Sequence, residues 1–279
     1  MKAAIAQIEC VLGDLEKNIR KHLEYCEKAV SKKADIIVFP ELSLTGYSLK
    51  DINTEIAVDP FKTKLLSRIR QMSRKISIVC GLVEEAEDNA LYNSAAYFEE
   101  GELRFTHRKV YPPTYGLFEE FRHFSRGRDC RAHETKFGKA ALLVCEDLWH
   151  MSLPYIAAMD GARIIIGIAA SPTKLTDSSE IPSNYTINTE HHSSYARLLS
   201  SYMLFANRVG YEDGVNFWGG SEAVDPFGNV IAAAKFFEED IIYADIDDSE
   251  IRRARQMARH FLDEDIDVTV RNLSRIQGK

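Results

Sequence analysis

The sequence lacks most of the features that mark a specialised class of protein. Among its 279 residues no apolar run reaches the roughly 18 residues of a membrane-spanning helix, and the first residues turn polar too soon for a signal peptide. The net charge of −7 is spread without blocks of one sign, which argues against nucleic acid or an anionic membrane as a partner. The ordinary 45% share of hydrophobic residues then predicts a globular protein of the cytoplasm.

Cysteine is scarce and scattered. The five cysteines are odd in number and no two lie close together in the sequence, which argues against a disulfide framework and against a paired-cysteine metal site. Cys10, Cys26 and Cys80 fall on apolar faces or inside strands and are predicted to be small buried hydrophobic residues. Cys130 lies in a polar stretch and is predicted to be incidental. We therefore expect no bound metal and one cysteine of chemical interest, Cys145.

The order of apolar stretches predicts an α/β fold. A strand "AAIAQI", an amphipathic helix with Asp14 as its N-cap and a second strand "DIIVFP" form a β-α-β unit at the start of the chain. Strands and helices continue to alternate, and no Gly/Ser-rich linker or internal repeat divides them. The sequence therefore predicts one domain over residues 1–279.

Some elements are predicted with definite boundaries. A β-hairpin is expected to turn at Glu100-Gly101. A long helix is predicted from His191 to a closing Gly210, and a charged amphipathic helix over 248–262. Residues 171–190 carry no clear period and are predicted to form an irregular loop.

Three apolar strands end on a chemically versatile side chain. "DIIVFPE" leads to Glu41, "RFTHRK" to Lys109 and "ALLVC" to Cys145. Because sites in parallel α/β folds gather at the carboxyl ends of strands, a carboxylate, an amine and a thiol are expected to meet in one cleft. Taken singly, each has an ordinary alternative: a solvated loop glutamate, a surface lysine and a small buried thiol.

The segments around these residues resemble the signatures of the nitrilase, or carbon–nitrogen hydrolase, superfamily. "FPELSLTGY", "HRKVYPP" and "LLVCEDLWH" look like its three signature segments, and the resemblance extends in the same order over essentially the whole chain. It implies a four-layer α-β-β-α sandwich. It also implies a homodimer or higher homo-oligomer, with "PYIAAM" and the helix near residue 190 expected at the shared face.

The resemblance implies a role for each of the three strand-end residues. Glu41 matches the general base, Lys109 the catalytic lysine and Cys145 the nucleophile of a reaction that needs no cofactor. Two acids follow the cysteine directly, and neighbouring acids raise the pKa of a thiol. We therefore expect Cys145 to rest either protonated or ion-paired, with Glu146 and Asp147 anchoring the turn by hydrogen bonds.

The family carries a second glutamate, which falls at Glu119 or Glu120. Its pattern of an aromatic residue four positions later and a glycine seven positions later fits Glu120, Phe124 and Gly127. The resemblance therefore implies that Glu120 positions the lysine and the region of the nucleophile.

A closer resemblance to one branch of the family narrows the class of substrate. "YGLFEE" and "VCEDLWH" look most like the glutaminase domain of glutamine-dependent NAD synthetases, which implies a small amide substrate near Tyr115 and Ser171. Glu146 and Trp218 are further predicted substrate-binding residues. No ATP-binding synthetase segment is present, and Lys174 is the nearest cation after Ser171 that could hold an α-carboxylate. These departures favour a free-standing amidase that cleaves a small non-peptide amide.

Three other interpretations stay open. A nitrilase would use the same residues, although "CEDLW" after the nucleophile is more typical of amidases. A glutaminase would supply ammonia to a partner enzyme. An inactive scaffold for interactions is the alternative outside enzymes, and labelling of Cys145 by an electrophile would argue against it.

Overall fold

Strand pairing organises the chain into two large sheets. The computed structural model describes residues 1–173 and 181–278, and within these residues the strands form two six-stranded sheets and a two-stranded hairpin. The first sheet contains, from edge to edge, β14 (Asp240–Asp245), β1 (Lys2–Gln7), β2 (Ile36–Val38), β3 (Ser77–Glu85), β4 (Leu91–Glu99) and β5 (Glu102–Arg108). The second contains β13 (Val230–Ala233), β12 (Glu222–Val224), β9 (Tyr202–Asn207), β8 (Ile164–Ala169), β7 (Gly138–Val144) and β6 (His133–Thr135). The hairpin pairs β10 (Val209–Glu212) with β11 (Val215–Trp218).

Strand directions bring several carboxyl ends to one edge of each sheet. In the first sheet β1, β2 and β3 are parallel, and two antiparallel pairings in succession return β5 to their direction. In the second sheet β7, β8 and β9 are parallel. The residues that follow β2, β5, β7 and β8 are therefore placed at the kind of edge where α/β proteins build their sites.

Alternating side chains along the strands separate three apolar layers. On β1, Ala3 and Ile5 face the second sheet and pack with residues of β7, β8 and β9, whereas Ala4 and Ala6 face the opposite way. This period of two, with both faces apolar, is what a strand buried on both sides requires. The two sheets therefore pack face to face.

Helices cover the two outer faces. The helices are α1 (Leu15–Ser31), α2 (Asn53–Ile56), α3 (Ser67–Met72), α4 (Ser152–Met159), α5 (Ser183–Leu199), α6 (Asp248–Met257) and α7 (Ile266–Ile276). Residues of α1 and α3 pack on the first sheet, together with Cys10, Cys26 and Cys80. Residues of α4 and α5 pack on the second sheet. The predicted four-layer α-β-β-α sandwich is confirmed.

Two predictions about helices were wrong. The helix expected to run from His191 to Gly210 ends at Leu199, where Ser200 adopts a left-handed conformation with φ of 47°. The residues after it, Tyr202–Asn207, are fully buried between neighbouring strands, so sheet pairing overrides their helical period. The helix expected over 248–262 ends at Met257. The loop expected over 171–190 is also too long, because α5 already begins at Ser183.

Other local predictions are confirmed. Asp14 caps α1 by accepting a hydrogen bond from the backbone N–H of Lys17. The hairpin of β4 and β5 turns at Glu100 and Gly101, which both have positive φ, as a tight two-residue turn requires. Lys174, the suggested partner of a substrate carboxylate, lies outside the described residues. Across the described part of the chain, no helix combines the length and apolar character needed to cross a membrane.

Candidate active site

Glu41 is the centre of a buried polar network. It follows β2 and is completely inaccessible to solvent. Its Oε1 accepts hydrogen bonds from Asn93 Nδ2 and Lys109 Nζ, each at 2.7 Å, and its Oε2 accepts one from the backbone N–H of Ala170 at 2.7 Å. Since Ala170 follows β8 of the second sheet, this carboxylate ties the two sheets together.

Lys109 bridges two carboxylates. It follows β5, is completely buried, and its Nζ lies 2.7 Å from both Glu41 Oε1 and Glu120 Oε1. Burial lowers the pKa of the amine, but the charges of Glu120 and Glu41 outweigh this effect and hold the pKa well above its usual value. The lysine is therefore a fixed positive charge at the site.

Glu120, rather than Glu119, contacts the lysine. Glu119 is exposed and pairs with Arg122, whereas Glu120 is buried, accepts the Tyr47 hydroxyl hydrogen bond on Oε1 and is reached by Asn93 Nδ2 on Oε2. Burial raises the pKa of Glu120 to about 7, against the lowering effect of Lys109. The carboxyl group therefore titrates near neutral pH.

Cys145 occupies a strained turn at the end of β7. Its φ is 48°, a left-handed conformation that costs a non-glycine residue about 1–3 kcal/mol. The residue is partly exposed, and it begins a 3₁₀ turn over Cys145–Trp149. Burial, followed by the charge of Glu41, raises the pKa of the thiol well above its usual value, while Lys109 acts in the opposite direction. Burial and the charge of Glu41 therefore favour the protonated thiol over the thiolate.

The turn that carries Cys145 is fastened by Asp147. The Oδ1 atom of this completely buried carboxylate accepts the backbone N–H groups of Val110 and Tyr111, at 3.0 and 3.1 Å. Its Oδ2 accepts the backbone N–H of Val144 at 3.0 Å and lies 2.9 Å from Nε2 of His107. Asp147 therefore joins the turn to the segment around Lys109, in agreement with the anchoring predicted for it.

The predicted substrate-binding residues fall into two pairs. The exposed Tyr115 donates its hydroxyl hydrogen bond to Glu146 Oε2 at 2.8 Å. Trp218 donates from its indole nitrogen to Ser171 Oγ at 3.1 Å. Because Trp218 is completely buried, it lies behind Ser171 and orients that hydroxyl instead of offering a surface of its own.

Three residues of the network were missed by the sequence reasoning. Asn93 interrupts the apolar strand "LYNSAAYF", and a polar residue inside such a strand was the signal available for it. Tyr47 lies within "FPELSLTGY" and reaches Glu120. Glu212 gave no signal, yet its Oε1 accepts the backbone N–H groups of Tyr47 and Ser48 and its Oε2 pairs with the buried Arg208 at 2.8 Å.

No metal site accompanies this network in the part of the chain that is described. Within residues 1–173 and 181–278, no cluster of three His, Cys, Asp or Glu side chains is arranged to hold a metal ion. The chemistry that the described residues themselves offer is that of a thiol, a buried ammonium group and two buried carboxyl groups.

Comparison with known proteins relates this arrangement to characterised sequences and structures. The sequence model of the carbon–nitrogen hydrolase family matches residues 2–256. A glutamine-dependent NAD(+) synthetase of Thermotoga maritima is 31% identical over 251 residues, which are 88% of this chain and 42% of that protein. The chain thus spans less than half the length of this relative.

Two further matches span whole chains. A probable nitrilase of Schizosaccharomyces pombe is 28% identical over 264 residues, covering 90% of this chain and 91% of that protein. The crystal structure of a carbon–nitrogen hydrolase from Helicobacter pylori G27 superposes with a TM-score of 0.82 at 26% identity and covers 96% of each chain.

Proposed function

This chain belongs to the carbon–nitrogen hydrolase family, and from that membership we propose that it is an amidase that converts a small non-peptide amide into a carboxylic acid and ammonia or an amine. The observation that carries the proposal is the set of buried contacts among Glu41, Lys109 and Glu120 beside the thiol of Cys145. Each group required for acyl transfer through a cysteine is present in this set.

The first step forms a thioester. Glu41 takes the proton of the Cys145 thiol while the sulfur attacks the amide carbon, so a C–S bond forms and the carbonyl π electrons move to oxygen. The raised pKa of the thiol makes this concerted removal of the proton necessary, because the resting thiolate population is small. Lys109, held as a cation by its two carboxylates, stabilises the developing oxyanion.

The second step breaks the C–N bond. The oxyanion collapses, the nitrogen leaves with the proton that Glu41 received, and the acyl group stays on sulfur. Water then attacks the thioester, gives a proton to Glu41 and releases the acid, and the proton returns to sulfur. Glu120 takes no part in these transfers. It holds Lys109 in place through a 2.7 Å ion pair, with Tyr47 bonded to the same oxygen.

We assign substrate binding to Tyr115, Glu146 and Ser171, with the buried Trp218 orienting Ser171 from behind. The paired Tyr115 and Glu146 offer a hydroxyl and a carboxylate near the nucleophile, which suits a polar amide. Ser171, oriented by Trp218, offers a second hydroxyl. Glutamine is one candidate amide, favoured by the 31% identity to a glutamine-dependent NAD(+) synthetase, and in that case the released ammonia would serve a partner enzyme.

Acyl transfer to hydroxylamine tests the proposal directly. The purified chain is incubated with glutamine, aliphatic amides, carbamoyl compounds and nitriles, and ammonia and hydroxamate are measured. We expect ammonia from at least one amide, hydroxamate formation from the trapped thioester, and a loss of at least about 10⁴-fold in Cys145→Ala. Cys130→Ala, which removes another partly buried thiol, serves as the matched control.

The pattern of products separates the alternatives. Turnover of nitriles but not amides would favour a nitrilase, and turnover of glutamine alone would favour the ammonia donor. Absence of turnover and of hydroxamate across the panel, with no electrophile labelling at Cys145, would refute an enzymatic role.

We also propose that the chain forms a homodimer through the α4 and α5 layer. Met151, Ile156 and Leu198 are exposed apolar residues on or beside these helices. Sedimentation at micromolar concentration is expected to show a dimer, and a monomer at all concentrations would contradict the assignment.

A further inference from the structure

A cavity of about 340 Å³ opens between the end of β5 and the segment that follows Phe124. Ten residues line it, and it is unusually basic for a chain with a net charge of −7. One lining residue is an aspartate, Asp129, and four are arginines: Arg108, Arg126, Arg128 and Arg131. The basic side chains are therefore gathered at this cavity against the overall charge of the protein.

The positive charge of the cavity is only partly neutralised. Arg131 pairs with Asp129 at 3.2 Å, and Arg108 bonds through Nε and Nη2 to a single oxygen of Glu84. Within the residues that the structure describes, no carboxylate pairs with Arg126 or Arg128. Two guanidinium charges therefore lack an anion, and an anion placed in the cavity would relieve their mutual repulsion.

A buried histidine adds a further polar group to the wall. His107 is 7% exposed, lines the cavity and uses Nε2 to contact Asp147. Its second ring nitrogen, Nδ1, has no hydrogen-bond partner among residues 1–173 and 181–278. When Nε2 donates to Asp147, Nδ1 of the neutral ring is an acceptor, so it can take a hydrogen bond from water or from a protonated oxygen of a ligand.

The cavity wall rests directly on the catalytic segment. The backbone N–H of Gly127 donates to the carbonyl oxygen of Lys109 at 2.8 Å. A Cβ at Gly127 would lie 2.0 Å from the carbonyl oxygen of Arg108, so glycine is needed for this close approach. The cavity therefore has a wall held by backbone contacts, in addition to its exposed arginine side chains.

We propose that this arginine cavity binds a small oxyanion with at least two negative charges, such as a phosphate ester or a tricarboxylate. Guanidinium groups recognise such oxyanions through paired N–H donors, and this geometry is more favourable than that of a lysine ammonium. The volume lies at the lower end of the range for small-molecule sites, which fits a metabolite and not a protein segment. The site is separate from the proposed amide site and does not depend on that function.

Calorimetry on the full chain tests the proposal. Pyrophosphate, inorganic phosphate and citrate are titrated at constant ionic strength, with acetate as a monovalent control. We expect millimolar or tighter binding of at least one multivalent anion and no binding of acetate. Pyrophosphate without citrate binding would identify phosphorylated compounds, and the reverse would identify polycarboxylates.

A pair of matched variants locates the site. Arg126→Gln/Arg128→Gln is expected to weaken binding at least about tenfold, since hydrogen bonds to charged groups are lost. Arg252→Gln/Arg271→Gln makes the same charge change at exposed positions outside the cavity and is expected to bind like the wild type. Equal weakening in both variants, or no binding by the wild type, would overturn the proposal. Because calorimetry needs no turnover, its result is independent of whether the chain is an amidase.

Discussion

Replacing Asp147 by asparagine tests whether the hydrogen bonds of this side chain hold the turn that carries Cys145 in place. The substitution keeps the size of the side chain but exchanges one acceptor oxygen for an NH₂ group. Each carboxylate oxygen of Asp147 now receives two hydrogen bonds, from Val110 and Tyr111 on one side and from Val144 and His107 on the other. If the NH₂ group replaces Oδ1, the N–H groups of Val110 and Tyr111 both face a donor and two bonds are lost. If it replaces Oδ2, the bond from Val144 is lost, while Nε2 of His107 can accept from the amide in its other tautomer.

The expected loss of stability follows from the number of hydrogen bonds that are lost. A hydrogen bond to a charged group contributes about 1.5–3 kcal/mol, so the loss of one or two bonds should lower the free energy of unfolding by about 2–4 kcal/mol. For a chain of this size that corresponds to a fall in Tm of about 5–10 °C. The strained φ of Cys145 would also lose its restraint, so kcat should fall while KM changes little.

Urea unfolding and steady-state kinetics measure the two effects of Asp147→Asn. Asp225→Asn is the matched control, because Asp225 also accepts backbone N–H groups, from Phe227 and Asn229, in a turn remote in sequence from the site. The control is expected to lose stability without a specific loss of kcat. A loss below about 1 kcal/mol in Asp147→Asn, with unchanged kcat, would refute the reasoning.

Four further predictions concern Glu120, Glu212 and Gly127. Since the pKa of Glu120 is raised to about 7, kcat/KM should fall below that pH, and Glu120→Gln should lower turnover and remove this acid limb of the profile. The same shift makes stability decrease as pH rises from about 4.5 to about 7, because the folded state keeps a proton that the unfolded state has released; urea titrations of Glu120→Gln should lack this dependence. Glu212→Gln should cost about 3–5 kcal/mol in urea unfolding and reduce kcat, because it leaves the buried Arg208 charge uncompensated and weakens the hold on Tyr47. Gly127→Ala should lower stability by about 3 kcal/mol, since its Cβ would meet a carbonyl oxygen at 2.0 Å, as measured by thermal unfolding.

Each of these predictions has a result that would contradict it. An acid limb that persists in Glu120→Gln would assign the titration to another group. Unchanged stability in Glu212→Gln would mean that the Arg208 pair is not needed. Gly214→Ala is the comparison for Gly127→Ala, because Gly214 has a positive φ of 78° but its Cβ would meet no atom within 4 Å. A loss in Gly127→Ala no larger than that in Gly214→Ala would contradict the effect assigned to the close contact.

The sequence was most informative where local physics decides the structure. The cap at Asp14 and the turn at Glu100-Gly101 depend on a few neighbouring residues, and both were predicted. The error at Tyr202–Asn207 arose because an apolar run fits a helix or a buried strand equally well, and only pairing with β8 decides between them. The amphipathic helix Ile266–Ile276 was not predicted at all.

The residues proposed to react could be predicted from the sequence, whereas the residues that hold them in place could not. Glu41, Lys109 and Cys145 each end an apolar strand, and this position is visible in the sequence. Asn93 contacts Glu41, 52 positions away, and Glu212 contacts Tyr47, 165 positions away. No local sequence pattern indicates contacts between residues so far apart. Single-domain organisation, a homodimer and a cytoplasmic location stay predictions.

The contact between Glu41 and the N–H of Ala170 has a consequence for how the protein matures. Glu41 and Lys109 follow strands of the first sheet, while Cys145 and Ala170 follow strands of the second. The two pairs of residues are therefore brought together only when the two sheets have packed against each other. Under the proposed mechanism, a chain whose sheets have not yet packed together has the thiol without its base and its lysine, so acyl transfer requires the complete fold.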